Sequence, residues 1–154
     1  MLAICLAVVG FCMLAIWLAV VGHREFRDFT EYSLDEDSFD AAAMAKIEQE
    51  SGIDLPDDAR GLSFHHIPPI DPIVFAKIEM PSDAQDSLAK QIGALTFNGT
   101  IFPEGFANDR CEWWPAAPDN IVLSKHAFSN GYYVELYLVK EKKTLILYIK
   151  YFTI

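Results

Sequence analysis

Adjacent His65 and His66, the distant His126, Cys111 and the acids Asp35, Asp37 and Asp40 are the side chains whose types and spacing could do chemistry. Neighbouring residues of a strand leave on opposite faces, so His65 and His66 cannot hold one metal ion together, and His126 can join at most one of them. The expectation is one histidine half-buried and the other exposed. Asp35, Asp37 and Asp40 suggest a calcium loop, but Asp40 stands where the loop needs its glycine and Lys46 where it needs its closing glutamate. Cys111 lies between Asp109 and Glu112, and neighbouring acids raise a thiol's pKa and blunt its reactivity. The sequence has no G-x-S-x-G elbow and no glycine-rich phosphate loop. Carboxylates are so frequent that their adjacency carries little information. The sequence therefore predicts no catalytic residues, no metal, no cofactor and no enzyme.

What remains unusual is aromatic. "CEWWP" sets Trp113 beside Trp114 in a stretch rich in Pro, Gly and Asn, and Tyr133, Tyr137, Tyr148 and Phe152 fall on one side of a C-terminal hairpin. If the loop is extended, one indole packs inward and the other faces out. The hairpin face is then either covered or a contact surface. Trp113, Trp114, Tyr133, Tyr137 and Tyr148 are the candidate partner-binding residues, because Trp and Tyr are enriched where protein contacts are strong.

The elements that must position these side chains follow from periodicity. Ser38 can cap a helix running to about Ser51, with Asp40 in its first turn, Gly52 just past its end and Phe39, Ala43, Met44 and Ile47 on one face. "LSFHHI" (62–67) and "IVFAKIEM" (73–80) read as strands. Ser82 and Gln85 form a capping box ahead of Ala84, Leu88, Ile92 and Leu95, a second helical stripe. Residues 96–120 have no stable period and read as a long loop. "YYVELYLVK" and "TLILYIKYF" make a hairpin. The register that opposes Glu135 to Lys150, Tyr137 to Tyr148, Tyr133 to Phe152, Leu136 to Ile149 and Leu138 to Leu147 matches charge with charge and ring with ring, leaving Glu141 to Thr144 as a four-residue loop. The expected fold is α+β: an N-terminal transmembrane helix, then a two-layer domain with two helices on one face of a mostly antiparallel four-stranded sheet.

The membrane expectation comes from residues 1–22, where "LAICLAVVG" (2–10) returns as "LAIWLAVVG" (14–22) without charge or proline. As a helix this stretch reaches roughly 33 Å, against a hydrocarbon core of about 30 Å. A cleaved signal fits less well, since no basic region precedes it and no small-residue cleavage triplet follows. The predicted organisation is an anchor over 1–22, an acidic stalk over 23–37 and a small α+β domain over 38–154. Arg24 and Arg27 after the span favour a cytoplasmic domain by the positive-inside rule, but Glu25 and Asp28 dilute that bias. Asn98-Gly99-Thr100 fits a glycosylation acceptor in a eukaryotic secretory chain and elsewhere is a turn.

The whole chain holds 12 Lys/Arg against 22 Asp/Glu, a net charge of −10. Phosphates need basic patches, so this balance argues against nucleic acid. "SGIDLPDDARGLSF", "PPIDPIVFAKIEMP", "EWWP" and "GYYVELYLVK…TLILYI" resemble, over residues 51–150, a set of small bacterial proteins of unknown function with a span or lipid anchor and an extracytoplasmic domain. The resemblance implies an outward-facing domain and assigns no chemistry. The reading is a single-pass, membrane-anchored, non-enzymatic protein-interaction module, such as an accessory subunit of an envelope or membrane complex. The alternative is a toxin-neutralising immunity protein, whose acidity would steer it onto a basic toxin.

Overall fold

The computed structural model describes residues 30–68, 72–96, 107–115, 118–129 and 131–153, with the side chain of Ser129 left aside. Strands β1 (Tyr32–Asp35), β2 (Arg60–Ile67), β3 (Ile73–Met80), β4 (Ile121–Ser129), β5 (Tyr132–Glu141) and β6 (Thr144–Thr153) form one sheet in the order β1-β2-β3-β6-β5-β4. Every pairing is antiparallel. Two three-stranded meanders, β1-β2-β3 and β4-β5-β6, thus meet along β3 and β6. Helices α1 (Ala41–Ser51) and α2 (Gln85–Ala94) lie within and after the first meander.

This corrects the expected four-stranded sheet: both strands absent from the sequence reading are edges. β1 lies in the acidic stretch assigned to a stalk, where four residues pair with one neighbour only and solvent takes the charges. β4 escapes detection because a bulge between Ile121 and Leu123 breaks its alternation. The hairpin register is the expected one, with Glu135 on Lys150 and Tyr137 on Tyr148. Its loop is tighter than expected. Glu141 and Thr144 already pair, and Lys142 takes φ 57° in a two-residue turn with Lys143.

The expected transmembrane helix, and the single-pass location read from it, are not borne out. Among the described residues no helix is long and apolar enough to cross a membrane. At 11 and 10 residues α1 and α2 span only about 15–17 Å. Residues 1–22, which carried the expectation, lie outside the described residues, as does Asn98-Gly99-Thr100.

Local chemistry sets the helix ends. Asp40, not Ser38, caps α1, accepting from the Ala43 N–H at 2.9 Å. Ser38 instead closes a turn with Asp35, its hydroxyl 2.6 Å from the carboxylate, and that bond holds the Asp35 pKa below the ordinary carboxylate value. Gly52 ends α1 at φ 71°, its N–H on the Glu48 carbonyl, as a left-handed C-terminal glycine should. The expected capping box does not form: Ser82–Ala84 is a 3-10 turn leading into α2 without a side-chain cap.

Both helices cover one face of the sheet. Ala43, Ile47, Leu88 and Ile92 bury against Phe64, Val74, Ile78, Leu136 and Leu147. Phe39 lies across the strand backbone at Gly61, edge-on to Phe64 at 5.8 Å. A Cβ built on Gly61 would sit 2.1 Å from the Phe39 ring. Gly61→Ala should therefore displace the ring and destabilise the domain by about 1–3 kcal/mol, as overpacking does. The urea midpoint should fall with an unchanged slope; an unmoved midpoint would show that Phe39 does not press on this strand.

Candidate functional site

The opposite face of the sheet gathers a second set of aromatic side chains. Phe75, Tyr133, Tyr148 and Phe152 are buried there with Ile67 and Ile73, and Cys111 and Trp114 close over them. Residues 107–115 therefore form a cover rather than a free loop. Trp114, 5 % exposed, meets Phe75 edge-on at 5.3 Å and Tyr148 at 5.9 Å, and lies 5.8 Å from Tyr137. All five candidate partner-binding residues come to this one face. Trp114, Tyr133 and Tyr148 are core; Trp113 and Tyr137 are half-buried and keep a solvent side.

A charged pair sits inside this apolar layer. Glu135 and Lys150, 2 % and 0 % exposed, form an ion pair across β5 and β6. Lys150 also donates to Asn108 Oδ1 at 2.7 Å and stands 5.5 Å from the Trp114 ring centroid, while the Tyr137 hydroxyl donates to Glu135 at 2.5 Å. Burial pushes the Lys150 pKa down, and Glu135 opposes that shift. Nearby, the Tyr148 hydroxyl donates to Glu141 at 2.5 Å and, with Lys77, keeps the Glu141 pKa low against partial burial. Tyr133 bonds His126 Nδ1 at 2.6 Å, and burial raises its phenol to about 12. The network ties the 107–115 cover to the sheet.

The histidines leave on opposite faces as the strand geometry requires, but neither is exposed as expected, because each face of β2 is covered. His66 is buried towards the helices, 5.1 Å from the Tyr32 ring and 3.4 Å from the Thr30 carbonyl. His65 is half-buried on the aromatic face, its ring 6.4 Å from Phe75. Four strand spacings, roughly 19 Å, separate His65 from His126. Among the described residues no three His, Cys, Asp or Glu side chains converge as a metal site. Asp35 and Asp40 are taken up by a turn and a helix cap. Cys111 is buried, and that burial pushes its thiol up to about 11, well away from a reactive thiolate.

Sequence reasoning missed one constellation. The β1–β2 pairing opposes Ser33 to His65, with Ser33 Oγ 2.8 Å from His65 Nδ1. The other ring nitrogen lies 3.6 Å from Glu31. These side chains line a cavity of about 290 Å³ with Arg110, Glu112 and Trp113. Ser33 was hidden because its strand reads as stalk. The period-two order of "YSLD", with Leu34 buried between exposed neighbours, was the signal available.

The helical side carries two larger concavities. One of about 500 Å³ has Leu55, Pro56 and Leu88 in its wall and Asp54, Asp58 and Asp83 around it. A neighbour of about 430 Å³ shares Leu55 and Pro56 and adds Phe39, Met44, Glu36, Asp40, Glu48 and Asp57. Arg60, the basic residue of these walls, is engaged by Glu36 and Glu79. In comparisons with known proteins, the chain matches no family model, no curated protein and no solved structure.

Proposed function

We propose that this chain is a protein-interaction module that takes a basic partner on its helical side. The observation that carries the reading is the pair of adjoining clefts, apolar in their shared wall at Leu55 and Pro56 and acidic around it. Apolar wall supplies desolvated contact area, and single-sign charge around it speeds encounter and sets orientation. The Trp113–Trp114 region is a weaker candidate than its composition suggests, since Trp114 is spent on internal packing. Trp113 and Tyr137 remain the aromatic contacts of a secondary surface. The same acidity favours the second reading, an immunity protein that neutralises a basic toxin, over a module indifferent to charge.

The test is capture of partners by the full chain and by an Asp54→Asn/Asp58→Asn/Asp83→Asn variant, with bound proteins identified by mass spectrometry. A specific basic protein should be retained by the parent, lost by the variant and released as salt rises from about 0.05 to 0.5 M. Equal capture by both chains would end this reading.

A further inference from the structure

We infer that Ser33 and His65 form a nucleophile–base pair able to cleave small carboxylic esters in the cavity beneath residues 110–113. This lies on the opposite face from the clefts and goes beyond the interaction reading, so the two stand or fall separately. Activating a serine requires a base within hydrogen-bond reach and a third group that orients the base. The Ser33 hydroxyl is 2.8 Å from His65 Nδ1. Glu31 Oε1 stands 3.6 Å from His65 Nε2, on the side of the ring away from Ser33. The His65 ring is only 12 % exposed and lies along Phe75, which restricts its rotation.

The cavity supplies the remaining parts. Its volume of about 290 Å³ suits a short acyl chain and a small alcohol, Trp113 offers an apolar wall, and Arg110 is the cationic donor of the lining. In the reaction, Ser33 Oγ bonds to the ester carbonyl carbon as its proton passes to His65 Nδ1. The carbonyl π pair moves onto oxygen, where the Arg110 guanidinium balances the charge. Collapse of that intermediate breaks the carbon–oxygen ester bond, and the departing alkoxide takes the proton from His65. Water, deprotonated by His65, then repeats the sequence on the acyl-serine, releasing the carboxylic acid and restoring Ser33. Glu31 acts through His65 and is a positioning residue.

The experiment treats the full chain with a fluorophosphonate probe, locates the adduct by peptide mass spectrometry and follows p-nitrophenyl acetate hydrolysis in parallel. Ser33 should carry the adduct, and Ser33→Ala should abolish both signals. Because Ser33 is exposed on an edge strand, that variant keeps the fold, which circular dichroism checks. His65→Gln should slow labelling by at least about 100-fold, the usual contribution of a general base. Glu31→Gln should slow it less, lowering kcat with KM unchanged, and Glu31→Asp should recover part of the loss, because the carboxylate then again stands beside the ring. An unlabelled Ser33, or hydrolysis unchanged in Ser33→Ala, overturns the assignment.

Discussion

Replacing Lys150 with Met should cost this domain about 3–5 kcal/mol, the usual effect of leaving one member of a buried ion pair without its partner. Lys150 is fully buried, and its ammonium answers both the Glu135 carboxylate and Asn108 Oδ1. Methionine keeps most of the volume but leaves the carboxylate among Trp114, Tyr137 and Tyr148, where water cannot solvate it. The double variant Glu135→Leu/Lys150→Met should recover most of the loss, since a packed apolar pair removes the desolvation problem altogether. Urea denaturation of the two single variants and the double measures the coupling. A Lys150→Met chain within about 1 kcal/mol of the parent would show that Glu135 finds other compensation.

Trp114→Ala should be nearly as damaging, at about 3–5 kcal/mol, the range for deleting a large buried aromatic. Its indole touches rings from β3, β5 and β6, so the cavity would open at the centre of the sheet and free the 107–115 cover. A domain stabilised by only about 5–15 kcal/mol would lose a large part of its margin. Trp114→Phe should lose less, since it keeps most of the ring contact and removes a buried indole N–H that has no partner among the described residues. Thermal melts followed by near-ultraviolet circular dichroism separate the outcomes. If Trp114→Ala melts like the parent, the indole is a surface group and belongs with the partner contacts expected from sequence.

These predictions rest on burial, the property that sequence alone conveyed least well. "CEWWP" announced that one of two adjacent indoles would pack and the other face out, but alternation cannot say which. Trp114 is inside because residues 107–115 cross the sheet where Phe75, Tyr137 and Tyr148 converge. The opposition of Glu135 to Lys150 was legible from cross-strand matching; that both are buried depends on a cover arriving from far along the chain.

By itself the sequence determined what is local. Period-two alternation set β3, β5 and β6 and the register of the last hairpin. Gly52 marked the end of α1, and the alternation at 62–67 sent His65 and His66 to opposite faces. Tertiary structure decided what depends on neighbours. Edge strands pair on one side only, so β1 could be acidic and β4 bulged and still join the sheet, adding one strand whose brief alternation was hidden in an acidic stretch and one whose alternation a bulge breaks. The β3–β6 contact, which fuses the two meanders, joins residues some seventy positions apart, a distance over which no sequence pattern reaches. That same assembly put Ser33 against His65, and the side chains that could do chemistry are therefore a product of the pairing rather than of any motif.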